Sequence, residues 1–175
     1  MPSLIKTTYK TVMKNIRIGH GYDIHRLEKM DNKKYLRLGG VNIPHEKSLV
    51  AHSDGDVIIH AICDALLGAA SLGDIGHFFP DSDKTWANID SIHLLENVFS
   101  KLIKLNFKVS NIDVTVIAEV PKLAPYLKEM RDNISRCLSL SINQVSIKAT
   151  THERLDAIGN KDAIASHAVV LIYQI

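Results

Sequence analysis

The sequence predicts a mixed α/β fold in which helices cover one face of a single mixed β-sheet. Helical and strand-like apolar periodicities interleave along the chain, which makes a sheet faced by helices the economical packing. At 175 residues the chain has room for one domain with a substantial core and is cramped for two.

The elements follow in order. Residues 16–27, IRIGHGYDIHRL, alternate as a strand does, so Asp23 and His25 project to the same face. After a charged loop, residues 35–43 read as two short strands around a Gly39-Gly40 turn, and residues 44–50 read as a connector. The stretch 51–71, AHSDGDVIIHAICDALLGAAS, is the helix around which the chain is organised. Ser53 is the expected N-cap, with Asp56 answering it in a capping-box arrangement, and Val57, Ile58, Ala61, Ile62, Ala65 and Leu66 recur at helical spacing. The helix carries a polar set, His52, Asp54, Asp56, His60 and Asp64, of which Asp56, His60 and Asp64 share nearly one edge.

Residues 72–90 form a long irregular loop whose Ile75, Phe78, Phe79 and Trp86 suit an ordered lid. Asp90 caps a second helix over 91–105, with Ile92, Leu95, Val98, Phe99 and Leu102 inward. Residues 112–120 are a β-branched strand, and Pro121 and Pro125 open a third helix. Residues 145–151 are a strand and 152–162 a polar loop. The continuous apolar run of 163–173 suits a strand buried on both faces.

Composition narrows the function classes. A net charge of +2 gives no electrostatic argument for nucleic acid or a membrane surface, and no apolar run approaches the ~18 residues that cross a bilayer. Cys63 and Cys137 sit in helical apolar patterns and read as small buried hydrophobes of a reducing compartment. Residues 1–15 carry lysines and threonines but no acid, which suits a transit-peptide remnant, a tag or a frayed terminus, and the catalytic domain is placed at 16–175. A trimmed leader implies a plastid or apicoplast stroma; otherwise the address is a bacterial cytoplasm.

Asp23 and His25 on a strand, with His60 on a helix, form the three-ligand set that catalytic zinc uses, leaving a fourth position open. The plainer alternative makes Asp23 a cap and His25 a satisfied core histidine. Asp56, one turn before His60, is placed to orient its ring or simply to charge the helix N-terminus. His52 and Ser53 put a basic ring and a hydroxyl where free N–H groups of a helix start would favour an anion; plain capping is the alternative. Glu153, after Thr150 and Thr151, is a ligand for a hard cation such as Mg²⁺ or an exposed loop carboxylate. Asp74 and Gly76 could meet a sugar hydroxyl or form a turn; residues 118–123 could bond a base or start a helix.

As a set, the segments GHGYDIH, AHSDGDVIIHAICDALLGAASLGDIGHFFPD, NIDVTVIAEVPKL and IKATTHE closely resemble the 2-C-methyl-D-erythritol 2,4-cyclodiphosphate synthase family, from about residue 16 to the C-terminus. The resemblance implies a ferredoxin-like sandwich assembled as a homotrimer with active sites between subunits. It implies conversion of 4-diphosphocytidyl-2-C-methyl-D-erythritol 2-phosphate into the cyclic diphosphate and CMP. By motif match, Asp23, His25 and His60 hold Zn²⁺, and Glu153 meets a second divalent ion, Mg²⁺ or Mn²⁺, on the substrate diphosphate. His52 and Ser53 contact the methylerythritol phosphate, and Asp74, Gly76 and Asp81 the polyol or ribose. Ala118, Lys122 and Leu123 line the cytosine pocket, and Thr150 and Thr151 meet the diphosphate. The chain departs from the family where Asn160 replaces an expected arginine, with Lys161 placed to supply the charge, and where His167 replaces a glutamate near the trimer axis. These departures fall on the family's axial isoprenoid-diphosphate cavity and spare the catalytic set. A metal-dependent phosphohydrolase and a non-catalytic isoprenoid-binding trimer are the competing readings, which product analysis separates.

Overall fold

The computed structural model describes residues 15–30, 34–80 and 89–175. Asp81 and Trp86 therefore lie outside the described residues, as do positions 1–14. Seven strands, five α-helices and one 3-10 turn (Ile142–Gln144) are described: β1 (Ile16–Glu28), β2 (Tyr35–Leu38), β3 (Val41–Pro44), β4 (Ser48–Val50), α1 (Val57–Ala69), α2 (Ile75–Phe78), α3 (Ser91–Lys104), β5 (Phe107–Ile117), α4 (Leu127–Cys137), β6 (Val145–Thr150), α5 (Asp156–Gly159) and β7 (Ala163–Gln174).

The main sheet has the order β4-β1-β7-β5-β6. It is mixed: β7 runs antiparallel to both β1 and β5, whereas β5 and β6, joined through α4, are parallel. β1 and β5 are thus parallel with β7 inserted between them, a split β-α-β unit. β2 and β3 form a separate hairpin, as the Gly39-Gly40 pair predicts. Both glycines take positive φ, 56° and 73°, which a two-residue type I′ turn requires.

α1 is the centre of the core. Its Val57, Ile58, Ile59, Ala61, Ile62, Leu66 and Leu67 are fully buried, together with Leu36, Ile43, Leu95, Leu102, Val114 and Val170. Cys63 is buried here as expected, and burial drives its thiol pKa well up; burial pushes the half-buried Cys137 thiol to about 12.

Several expectations are corrected. The connector at 44–50 contains β4, which pairs with the end of β1. Ser53 is not the N-cap; Asp56 is, accepting from the N–H groups of Ile58 and Ile59. The loop at 152–162 contains α5, whose Ile158 packs with Ala163 and Ala165 on the sheet face opposite α1, so that face is not left wholly bare. β7 is buried on both faces only over residues 163–166; beyond Ala168 it alternates, and Val169 is 44% exposed. Tyr22, Ile24 and Tyr173 are exposed there too, and Ile18 is 71% exposed. Asp90 caps α3 as the sequence predicts, accepting from Ile92 N–H. No described helix is long and apolar enough to cross a membrane.

Candidate functional site

In β1 the odd-numbered residues face the helical layer, and two of them are glycines for a steric reason. A Cβ on Gly19 would stand 1.8 Å from the Ala65 carbonyl oxygen, and one on Gly21 would stand 2.0 Å from that of Ala61. α1 therefore lies directly on the β1 backbone. Asp23 and His25 continue the same file toward the N-terminal end of α1, where His60 sits beside Ala61.

The three predicted ligands converge. His60 Nδ1 is 2.9 Å from Asp23 Oδ2, His25 Nε2 is 3.1 Å from that oxygen, and the two nitrogens are 3.3 Å apart. This triangle fits a divalent ion, because donors at ~2 Å from a tetrahedral centre are spaced about 3.3 Å apart. Among the described residues it is the group of His, Cys, Asp and Glu side chains able to hold a metal ion. The donor set is two imidazoles and a carboxylate with no thiolate, which suits a borderline metal. Burial works against the charges of Asp23 and His60, yet their mutual attraction wins. The Asp23 pKa falls below the usual carboxylate range, helped first by His25 and then His60, and Asp23 raises that of His60.

Asp56 does not orient the His60 ring. It is fully buried and its carboxylate accepts from four backbone N–H groups: Gly39 at 2.9 Å, Gly40 at 2.7 Å, Ile58 at 3.1 Å and Ile59 at 3.2 Å. It ties the β2–β3 turn to the start of α1. The Ile58 and Ile59 N–H groups at the helix start are spent on Asp56, so an anion at His52 and Ser53 would be met by their side chains rather than by those two amides. Asp56→Asn turns an N–H donor toward those groups and should cost about 2–4 kcal/mol of stability while leaving metal stoichiometry unchanged. Metal analysis with calorimetry checks this; loss of metal at unchanged stability would restore Asp56 to the metal centre.

Sequence reasoning missed Ser91, which meets His60 on its far side beside Ser53. His60 Nε2 lies 3.0 Å from Ser91 Oγ and 3.2 Å from Ser53 Oγ. Ser91 Oγ donates to Asp54 Oδ1, and Ser91 N–H donates to Asp54 Oδ2 at 2.9 Å. Arg37 pairs with both Asp54, at 3.7 Å, and Asp90, at 2.6 Å. The signal was the serine after the Asp90 cap and the polar Asp54, but nothing in local spacing brings α3 to α1.

A second group forms at the carboxyl ends of β5 and β6. Ala118 N–H donates to the Thr150 carbonyl at 3.0 Å. Glu119, another residue without a sequence signal, accepts from the N–H groups of His152 at 2.9 Å and Arg154 at 3.1 Å. Thr151 Oγ1 donates to Glu153 Oε1 at 2.9 Å, and Glu153 and Arg154 both take positive φ, 51° and 63°. Leu123 is buried here and Lys122 exposed. Glu119→Ala should free the two amides and loosen the 152–154 turn. Their hydrogen exchange is expected to rise by ~10-fold or more, and unchanged protection contradicts the tie.

Asp74 caps α2, accepting from His77 N–H at 3.0 Å, and Gly76 lies within that helix. Asp64 anchors α2 to α1 through Ile75 N–H at 2.8 Å. The edge of Asp56, His60 and Asp64 therefore splits into three jobs. His167 meets His20 at 3.1 Å and Tyr22 on the open sheet face, and Asn160 ends α5.

The two groups stand at the same end of the sheet but not together. Asp23 pairs with Ser166, Ser166 with Val116 and Val116 with Ala149. Three strand spacings separate them, about 14 Å.

The YgbB family model matches residues 16–173. A 2-C-methyl-D-erythritol 2,4-cyclodiphosphate synthase of Syntrophomonas wolfei is 53% identical over 91% of this chain and 99% of its own length. The enzyme of the same name from Nitrosococcus oceani is 54% identical with the same coverage. Among solved structures, the CDP complex of IspF from Plasmodium falciparum superposes with a TM-score of 0.80 at 41% identity, covering 91% of this chain and 97% of that one. With the ligand triangle in place and these likenesses spanning nearly its whole length, the chain belongs to the YgbB family, alongside the 2-C-methyl-D-erythritol 2,4-cyclodiphosphate synthases.

Proposed function

We propose that this chain converts 4-diphosphocytidyl-2-C-methyl-D-erythritol 2-phosphate into 2-C-methyl-D-erythritol 2,4-cyclodiphosphate, releasing CMP. The convergence of Asp23, His25 and His60 at one point carries the reading, together with the family. An oxygen of the substrate's 2-phosphate bonds to the β-phosphorus, and the bond from that phosphorus to the bridging oxygen breaks, the electron pair leaving with CMP. No side-chain nucleophile is required, because both reacting groups belong to one molecule and the protein's task is to fold it back on itself.

Asp23, His25 and His60 hold Zn²⁺, and Glu153 a second divalent ion, Mg²⁺ or Mn²⁺. When bound, these ions supply positive charge to phosphate oxygens as Lewis acids. Thr150 and Thr151 offer hydroxyls to the diphosphate. Ala118, Lys122 and Leu123 receive the cytosine, and the CDP bound in the Plasmodium relative supports a cytidine-diphosphate ligand. His52 and Ser53 meet the methylerythritol phosphate, and Asp74, Gly76 and Asp81 the polyol or ribose.

The working unit is a homotrimer with sites between subunits. Two observations support it: the apolar open sheet face around Ile18, Tyr22, Ile24 and Val169, and the ~14 Å separation of the two residue groups within one chain. Residues 16–175 form the single catalytic domain, and its ferredoxin-like character rests on the split β-α-β unit. The bacterial relatives support a cytoplasmic address rather than a plastid one.

Phosphorus NMR of the reaction with both ions tests the activity. A cyclic diphosphate plus CMP is expected. Open-chain products would make the chain a phosphohydrolase, and no turnover would leave the non-catalytic reading.

A further inference from the structure

The hydrogen bonds between Ser91 and Asp54 behind His60 have a fixed direction. Asp54 carries a carboxylate, which accepts and does not donate. It faces Ser91 twice, through the backbone N–H at 2.9 Å and through the hydroxyl. The Ser91 proton is therefore committed to Asp54, and what Ser91 Oγ presents to His60 Nε2, 3.0 Å away, is a lone pair. Ser53 Oγ, the other neighbour of Nε2, accepts from Gly55 N–H at 3.4 Å. Nε2–H donating to that Ser91 lone pair satisfies both atoms, and Ser53 Oγ, whose own proton stays free to turn away, can accept as well; this leaves the Nδ1 lone pair for an ion shared with Asp23 and His25. Arg37, itself largely buried, sits between Asp54 and Asp90, 3.7 Å and 2.6 Å from their carboxylates.

We propose that Ser91, Asp54 and Arg37 form a positioning chain that fixes the metal-binding tautomer of His60. It rests on the metal-centre reading and adds three residues that do not touch the ion. The chain runs from the hairpin arginine through the loop before α1 to the first residue of α3. The start of α3 thereby sets the ligand's ring. Outer partners of this kind typically change metal affinity by ~10–100-fold.

The test is Zn²⁺ affinity by competition with a chromophoric chelator, on the full-length chain, for wild type, Ser91→Ala and Asp54→Asn. Asp54→Asn is the sharper variant, because its amide can donate to Ser91 Oγ, freeing the hydroxyl proton to turn toward Nε2 and favour the wrong tautomer. Both variants should lose ~10-fold or more in affinity. Nitrogen-15 NMR of zinc-loaded wild type should show a His60 Nε2–H signal protected from exchange, and Ser91→Ala should lose that protection. A merely structural role would lower stability without moving this signal. Wild-type affinity in Asp54→Asn overturns the positioning chain, whatever Ser91→Ala does, while leaving the metal centre in place. Failure of wild type itself to bind Zn²⁺ overturns the metal centre instead.

Discussion

His60→Ala is expected to abolish turnover, by at least ~10³-fold in kcat, while the chain stays folded. The ring supplies one of the three donors at the convergence point and is 5% exposed, so nothing from solvent replaces it in place. Alanine suits a helix interior, so α1 should persist, and circular dichroism should remain close to wild type. Metal analysis of the same variant should show zinc lost in parallel with activity. Wild-type turnover in His60→Ala would remove the ion from the mechanism.

The second large effect is structural. Gly21→Ala places a Cβ 2.0 Å from the Ala61 carbonyl oxygen and 2.8 Å from Ala65 N, both backbone atoms of α1 that cannot swing aside. The helix must lift from β1, and the expected cost is about 3 kcal/mol or more, with Gly21→Val worse. For a chain of this size that lowers Tm by roughly 6–12 °C. Because Asp23 and His25 ride on β1 and His60 on α1, metal affinity should fall with it. Scanning calorimetry decides: an unchanged Tm for Gly21→Ala would mean that α1 does not rest on the strand.

These two positions also mark how far the sequence could be read. Alternation in β1 and the apolar stripe of α1 are local patterns, and they placed Asp23, His25 and His60 on elements able to meet. The glycines before Asp23 belong to the GHGYDIH motif, but their packing role needs the helix in place. Asp90 was legible as a cap because capping is local. Ser53 was misread because Asp56 competes for the same amides and wins through the Gly39-Gly40 turn, a contact 16 to 17 residues away in sequence. Ser91, Asp54, Arg37 and Glu119 were not legible, since each acts across elements distant in the chain. β4 is three residues long and leaves too short a pattern to detect.

The central claim is that Asp23, His25 and His60 close around one ion. Zinc K-edge X-ray absorption of the zinc-loaded protein measures this most directly. One zinc per chain in a shell of about four nitrogen and oxygen donors at ~2.0–2.1 Å, with multiple scattering from two imidazoles, is the predicted result. A shell with sulfur at ~2.3 Å, or one lacking the two imidazoles, would contradict it.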